Sequence, residues 1–320
     1  MTVVKQTFPP FGHARTGGLS LPIDGNLAVQ TRALPDQDVL TRLAEMEVHL
    51  DTHARILWQY LKPAGRPSFT LGMLAEMRDV QRWTEGLFAG VASGDAPVRY
   101  VVTASKMPGI FNLGGDLPHF VELIRARDAA TLRRYAHACI DVQYPRATNM
   151  GLPITSISLV QGDALGGGFE CALAADIIIA EKRAKFGLPE ILFNLYPGMG
   201  AYSFLARRLD AKRAEEMILS GRIYSAEELK EIGIVDVVTE DGQGEDAVYE
   251  YVDKNDRSFG AIRAVHQVRK MVQPVSREEL IAITDLWVDT ALTLEGGDLR
   301  KMERLAAAQD RRWAQIQNAA

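Results

Sequence analysis

The chain has 320 residues, of which 47% are hydrophobic and 24% are charged, and its formal net charge is −5. This composition is typical of a globular protein large enough to bury a full core, and the acidic balance excludes broad nucleic-acid binding, which needs a basic surface. The two cysteines, Cys139 and Cys171, form no disulfide framework or metal cluster, and no apolar run reaches the roughly 18 residues that a membrane span requires. We therefore expect a cytoplasmic protein without a metal site.

The first 44 residues predict an extension that is only partly ordered. The stretch FPPFGHARTGGLSLPIDGN is punctuated by glycine and proline, and no clear hydrophobic period follows it. The start of the chain carries no apolar segment of the kind found in signal peptides, which agrees with a cytoplasmic location.

The periodic part of the chain begins at residue 46 and alternates strands with helices. MEVHLD (46–51) alternates apolar and polar residues, and ILWQYL (56–61) is rich in residues that favour strands, so the two predict a hairpin. The other elements predicted here are helices over 69–87 and 117–145 and strands over 99–105, 154–162 and 175–180. This alternation predicts an α/β sheet with crossover helices.

From residue 199 onward the sequence is mostly helical. One predicted helix carries its apolar residues on a single face: Leu280, Ile283, Trp287, Ala291 and Leu294. The segment EGG (295–297) interrupts the pattern, and a final helix follows that contains Leu305. We therefore divide the chain into an extension (1–44), an α/β core (45–255) and a C-terminal helical region (256–320).

Two glycine-rich segments have the same pattern of strand, glycine turn and helix. They are FNLGGDL (111–117) and VQGDALGGGFE (160–170). Glycines at such a turn let another molecule's oxygen approach unpaired backbone N–H groups, which suits a developing negative charge. Simple helix-entry turns are the alternative. The spacing GxGxxG of a dinucleotide-binding loop is not present, so we expect no cofactor.

Two carboxylates lie in apolar surroundings, twenty residues apart. Glu170 stands inside ALGGGFECAL and Glu190 inside FGLPEILF. Burial separates the pKa values of such groups, so that one acts as an acid and the other as a base. The alternatives are a carboxylate that favours a helix N-terminus at Glu170 and a surface carboxylate at Glu190.

Four motifs in order, FNLGGDL, VQGDALGGGFE, FGLPE and LYPGMGAYSFLARRL, resemble the crotonase (enoyl-CoA hydratase/isomerase) superfamily over about residues 45 to 315. The resemblance implies a crotonase-like ββα superhelix of α/β class with a C-terminal helical trimerisation region. It further implies that the N–H groups of Gly115 and Gly167 form an oxyanion hole and that Glu170 and Glu190 are catalytic. A homotrimer or a hexamer built as a dimer of trimers is implied as well.

The segments GLPEILFNLYPGMGAYSF, YSAEEL and ITDLWVDTAL are more similar to bacterial diffusible-signal-factor synthases than to ordinary enoyl-CoA hydratases. This similarity implies dehydration of a 3-hydroxyacyl chain on acyl carrier protein to a cis-2-enoyl thioester. Hydrolysis of that thioester then releases an unsaturated fatty acid. It also implies that Trp287 and Leu305 line an acyl pocket. The 44-residue extension is longer than this family leads us to expect.

Two other functions stay open. The chain could be an enoyl-CoA hydratase that acts on a CoA thioester with the same two glutamates. It could instead be a regulatory protein that binds a membrane sensor histidine kinase, with the extension as its docking segment. The presence of both glutamates argues against a purely regulatory protein.

Overall fold

The computed structural model of the chain describes residues 38–91 and 96–319. Of the predicted extension, only residues 38–44 are among them, and they include the one-turn helix α1 (Asp38–Thr41). The rest of the extension lies outside the described residues, so its partial order stays a prediction. So does the division of the chain at residues 44 and 255.

The predicted hairpin is present and opens the larger of two sheets. Strands β1 (Met46–Asp51) and β2 (Ile56–Leu61) pair antiparallel along their whole length. Helix α2 (Leu71–Leu87) follows, and Thr70 caps it by accepting a hydrogen bond from the N–H of Met73. The chain thus enters α2 close to where the sequence predicts.

Beyond the hairpin, one unit repeats three times: a strand of the larger sheet, a short strand of a second sheet, and a helical segment. This repetition is the ββα superhelix that the resemblance implies. The first repeat is β3 (Tyr100–Ser105), β4 (Ile110–Asn112), α3 (Leu117–Ala126) and α4 (Ala129–Ala147). The second is β5 (Thr155–Val160), β6 (Asp163–Leu165) and α5 (Gly167–Leu173). The third is β7 (Ile177–Glu181), β8 (Lys185–Gly187), a 3₁₀ turn (Pro189–Phe193) and α6 (Ala201–Arg208).

The two sheets bring the ends of the short strands together. The larger sheet has the order β1-β2-β3-β5-β7-β10, with β10 (Val237–Thr239) at one edge, and the smaller has the order β4-β6-β8-β9, with β9 (Ile223–Ser225) at one edge. Within the smaller sheet β4, β6 and β8 run parallel. Their carboxyl ends therefore meet at the same edge, the usual position of a ligand site in a parallel sheet. Gly115, Gly167 and Glu190 follow these three ends.

The rest of the described chain is mostly helical, as the sequence predicts. Its helices are α7 (Ala211–Ser220), α8 (Ala226–Glu231), α9 (Gly244–Asn255), α10 (Phe259–Val272), α11 (Arg277–Ala291) and α12 (Gly296–Ala319). The break between α11 and α12 is confirmed, although Gly296 and Gly297 form the first turn of α12 rather than a gap before it. Among these described helices, none combines the length and apolar character needed to cross a membrane.

Residues 117–145 are helical, as the sequence predicts, but they form two helices rather than one. The backbone of Arg127 turns left-handed with φ of 52° and ends α3. Asp128 then starts α4, and its side chain accepts the N–H of Thr131 at 3.0 Å. Both helices carry apolar residues at helical spacing, so periodicity alone does not reveal the turn between them.

Both faces of the larger sheet are buried. Within β2, Trp58 packs in a cluster that includes Val248 of α9, whereas its neighbour Leu57 packs with Trp83 of α2. A strand covered on both faces needs apolar residues at successive positions rather than at alternate ones. This explains why ILWQYL reads as a continuous run.

Candidate active site

The two glycine turns lie against each other, backbone to backbone. The first contains Gly114, whose φ is +95°, and the second contains Gly166, whose φ is +53°. A methyl group built on Gly114 would lie 2.9 Å from the carbonyl oxygen of Leu165 and 3.0 Å from the backbone nitrogen of Gly167. Only glycine accepts both this backbone conformation and this close approach.

Two backbone N–H groups remain unused in this contact. The N–H of Gly114 donates to Asn112 Oδ1 at 2.7 Å, and the N–H of Gly166 donates to the carbonyl of Gly187 at 2.8 Å. By contrast, within the described part of the chain, the N–H groups of Gly115 and Gly167 donate to no other residue. They are therefore free to bind an oxygen of another molecule.

Glu170 is buried on α5 and held by two backbone donors. Its side chain is 2% exposed, and Oε1 accepts the N–H groups of Met199 at 2.8 Å and Ala201 at 3.0 Å. Burial raises the pKa of Glu170 to about 7, and the two hydrogen bonds oppose that rise because they favour the charged form. Glu170 is therefore the carboxylate of the site that is better prepared to carry charge.

Glu190 lies in the 3₁₀ turn after β8, and the backbone support of its carboxyl group comes from its own N–H group alone among the residues described. Its Oε2 is enclosed and has no hydrogen-bond partner among the residues described. Burial, and then the negative charge of Glu170, raise the pKa of Glu190 to about 8. A methyl group on Gly166 would lie 2.6 Å from Glu190 Oε1, so this carboxyl group reaches the second glycine turn. Glu190 is therefore the carboxyl group of the pair that takes up a proton more readily.

One cavity of about 380 Å³ is lined by all six residues that the sequence analysis assigned to the site. Both glycine turns and both glutamates line it. Trp287 of α11, only 3% exposed, and Leu305 of α12 line it as well. The structure thus brings together Gly115, Gly167, Glu170, Glu190, Trp287 and Leu305, while their roles stay predictions.

Helix α12 forms one wall of the cavity and is fastened by polar contacts. Beside Leu305, the cavity is lined by Gln309, whose Nε2 donates to the carbonyl of Leu113 at 3.1 Å. Ion pairs tie the same helix to the rest of the chain: Arg66 with Asp310 (2.6 Å), Arg125 with Glu303 (2.8 Å) and Arg312 with Asp163. Most of these side chains are partly exposed to solvent.

Two arginines, one buried and one partly buried, support α5 at its carboxyl end. Arg146 donates to the carbonyl of Cys171 at 3.3 Å, and Arg208 donates to the carbonyls of Leu173 at 3.3 Å and Ala175. These carbonyls have no partner inside the helix, and cations there are favourable. The helix that carries Gly167 and Glu170 is thereby held in place.

Sequence reasoning missed several groups at the site. Tyr135, Cys139 and Gln143 line the cavity from α4, where they follow an ordinary helical pattern that gave no functional signal. The backbone donors at Met199 and Ala201 fall in LYPGMGAYSF, a motif that the resemblance includes but whose contact with Glu170 only the fold reveals.

The comparison with protein families agrees with this geometry. The family model described as enoyl-CoA hydratase/isomerase matches residues 69–289. The mitochondrial methylglutaconyl-CoA hydratase of Mus musculus is 34% identical over 155 residues, which are 48% of this chain and 47% of that protein. The probable enoyl-CoA hydratase echA17 of Mycobacterium avium is 36% identical over 127 residues, which are 40% of this chain and 47% of that protein. The chain spans about half the length of these curated relatives.

Solved structures share the fold at lower identity. An enoyl-CoA hydratase from Bacillus halodurans has a TM-score of 0.67 and 21% identity, covering 81% of this chain and 98% of that one. Pseudomonas aeruginosa DspI has a TM-score of 0.60 and 24% identity, covering 73% of this chain and 90% of that one. At these identities the likeness shows the fold alone.

Proposed function

Because this chain belongs to the enoyl-CoA hydratase/isomerase family, we propose that it is a dehydratase and thioesterase of the diffusible-signal-factor synthase kind. It removes water from a 3-hydroxyacyl chain on acyl carrier protein to give a cis-2-enoyl thioester, and then hydrolyses that thioester to a free unsaturated fatty acid. The observation that carries this proposal is an apolar cavity bordered by two carboxyl groups and two free backbone N–H groups. The motifs shared with those synthases support the carrier protein and the product.

The two glycine N–H groups would bind the thioester carbonyl oxygen. When the C2 proton leaves, negative charge moves to that oxygen, and donors already aimed at it need no rearrangement. Each donor in such a site lowers the barrier by roughly 3–4 kcal/mol. This accounts for the close contact of the Gly114–Gly115 and Gly166–Gly167 turns.

Each of the two glutamates would move one proton, and the direction of the reaction decides which glutamate donates and which accepts. With the proton on Glu190, the pair is set for addition, since Glu170 accepts a proton from water and Glu190 donates one to C2. Dehydration starts from the opposite distribution. Glu190 then removes the C2 proton, and Glu170 protonates the 3-hydroxyl group, which leaves as water. Positioned proton transfer of this kind adds roughly 10²–10⁴-fold in rate.

Thioester hydrolysis would reuse the same groups. A water molecule attacks the carbonyl carbon while one carboxylate takes its proton, and the Gly115 and Gly167 N–H groups hold the resulting oxyanion. The intermediate then expels the carrier thiol, which leaves with that proton, and the fatty acid is free.

The second candidate function is an ordinary enoyl-CoA hydratase, which the names of the curated relatives favour. Purified protein is given a 3-hydroxyacyl carrier protein and, separately, a trans-2-enoyl-CoA. Release of free unsaturated fatty acid from the first substrate supports the synthase. Hydrated CoA ester from the second substrate, with no fatty acid from either, supports the hydratase instead.

A further inference from the structure

We propose that Tyr135 is a positioning residue that fixes the direction of the Gly115 N–H group through the backbone of Phe69. The inference rests on the proposed function, because it assigns a partner to one of the two oxyanion donors. Tyr135 lies on α4 and is 1% exposed.

The Tyr135 hydroxyl contacts the backbone of two neighbours of Gly115, one next to it in the chain and one paired with it. It donates to the carbonyl of Phe69 at 2.5 Å and accepts the N–H of Asp116 at 3.3 Å. Asp116 follows Gly115 in the chain, and Phe69 is the bridge partner of Gly115 in the parallel sense. A methyl group on Gly115 would lie 3.7 Å from the same hydroxyl oxygen. One side chain thus spans the first glycine turn.

The contact reaches the Gly115 N–H by a short chain of bonds. Tyr135 holds the carbonyl of Phe69, and the N–H of Phe69 donates to the carbonyl of Gly114 at 2.8 Å. That carbonyl and the Gly115 N–H belong to one planar peptide and point in opposite directions. Because Phe69 holds the carbonyl, the N–H is turned away from Phe69. The Gly115 nitrogen lies close to Gly167, since a methyl group on Gly167 would stand 3.5 Å from it.

The role of the Tyr135 hydroxyl can be tested separately from the packing of its ring. The Tyr135 ring packs edge-on against Phe120, with ring centroids 4.9 Å apart, and phenylalanine keeps that contact. Burial raises the pKa of Tyr135 well above its ordinary value, so the hydroxyl stays a donor at every working pH. Removing it leaves the Phe69 carbonyl and the Asp116 N–H without their side-chain partner in a buried place. The peptide between Gly114 and Gly115 then has fewer restraints on its rotation.

The test compares Tyr135→Phe with Tyr60→Phe. Tyr60 is also buried, and its hydroxyl donates to Glu245 at 2.9 Å in a cluster separate from the cavity. For Tyr135→Phe we expect kcat to fall about 10- to 100-fold with little change in KM, since a donor aimed at the transition state is misdirected rather than lost. Tyr60→Phe should keep kcat.

A spectroscopic measurement separates positioning from stability. A saturated acyl-pantetheine thioester, labelled with ¹³C at its carbonyl, is bound to each protein, and its carbonyl stretch is read by difference infrared spectroscopy. Hydrogen bonds from Gly115 and Gly167 lower this frequency in the wild type, and Tyr135→Phe should move it back toward the value in water. If Tyr135→Phe does not fold, 4-aminophenylalanine at position 135 supplies a donor in place of the hydroxyl. The carbonyl band of the thioester bound to that protein should stay lowered.

The outcomes are distinct. A lowered band in the wild type that is unchanged in Tyr135→Phe, with unchanged kcat, overturns the inference and leaves the proposed function standing. The inference is also overturned if the variant with 4-aminophenylalanine folds but the carbonyl band of its bound thioester lies at the free-thioester value. No lowering in the wild type itself overturns the oxyanion function of the two glycines.

Discussion

Two backbone N–H groups reach Glu170, whereas none reaches the enclosed Oε2 of Glu190, and this difference sets up the pair for proton transfer. We predict that Glu170→Gln and Glu190→Gln each lower turnover at least 100-fold, because glutamine keeps the shape of the side chain but cannot exchange the proton. The rate of water loss from a 3-hydroxyacyl thioester measures this. Thermal unfolding followed by circular dichroism checks that both variants fold.

The matched control is Glu216→Gln. Glu216 is an exposed glutamate of α7 that pairs with Lys212, one turn away. It should keep full activity. Wild-type product release in either active-site variant would remove that glutamate from the mechanism.

The Glu190 carboxyl group also makes stability depend on pH. In the unfolded chain it ionises at its ordinary pKa of 4.5, whereas in the folded chain it holds its proton up to about pH 8. The folded state therefore binds the extra proton within this window, and stability is lost as pH rises through it. We predict that Glu190→Gln, which lacks this loss, is more stable than the wild type at pH 8 by on the order of 2–4 kcal/mol.

Urea unfolding at pH 5 and at pH 8 tests this prediction. Near pH 5 the carboxyl group is mostly protonated in the folded state, so the two proteins should differ little. A difference between wild type and variant that is equal at both pH values would show that Glu190 ionises normally in the fold.

Residue patterns alone predict the candidate site only where a residue type is unusual for its surroundings, whereas Trp287 and Leu305 were implied by the family resemblance. Glu170 and Glu190 interrupt apolar runs, and the glycines cluster, so these positions were found. Tyr135 was not, because a tyrosine at helical spacing in α4 has nothing unusual in its local pattern. Its contact with Phe69 joins residues 66 positions apart, which only the folded chain brings together.

At the scale of elements, the hairpin and the longer strands of the larger sheet could be predicted from their patterns. The short strands β4, β6 and β8 could not, because three residues are too few to show a period. These strands nevertheless build the site, since their parallel ends bring Gly115, Gly167 and Glu190 to one edge. The sequence therefore identified the groups but not the sheet that assembles them.

Helix α11 contributes Trp287, whose ring lies in the cavity wall. A methyl group on Gly198 would come within 2.4 Å of that ring, and the Phe120 ring meets it with centroids 5.3 Å apart. We predict that Trp287→Ala enlarges the cavity and weakens selection among acyl chain lengths. An apolar pocket discriminates between chains by roughly 1–3 kcal/mol per methylene. The chain-length profile of the released fatty acids measures the effect.

Trp83→Ala is the matched control. Trp83 is 5% exposed on α2 and packs in a cluster away from the cavity. Both variants should lose about 3–5 kcal/mol of stability, the usual cost of removing a buried tryptophan ring. A shifted profile for Trp287→Ala alone assigns it to the site. An unchanged profile and unchanged turnover would make it an ordinary core residue.

At the scale of the whole molecule, assembly stays a prediction. Helix α10 exposes Val265, Val268, Met271 and Val272, each more than half exposed. An apolar surface of this kind is often covered by a partner, which supports the implied trimer. Sequence periodicity marks such a helix as amphipathic, but it does not say whether its apolar side meets the same chain or another copy.

The ion pairs that attach α12 to the rest of the chain also matter for the whole molecule. Ion pairs between exposed side chains contribute about 0.2–1 kcal/mol each and weaken with salt. The three pairs that hold α12 should together slow its departure from the cavity. If product leaves past this helix, raising NaCl from about 20 to 500 mM, across which the screening length falls several-fold, should speed fatty-acid release about two- to tenfold. Stopped-flow displacement of a fluorescent fatty acid measures this rate.

Asp310→Asn removes one pair, with Arg66, and should release product faster at low salt and respond less to added salt. Release that slows with salt, or a variant with the full salt response, would show that these pairs do not restrain the helix. If the prediction holds, the ion pairs that help to hold this wall of the cavity weaken as the salt concentration of the medium rises. The time for which a fatty acid of the proposed reaction stays bound would then depend on the medium as well as on the chain.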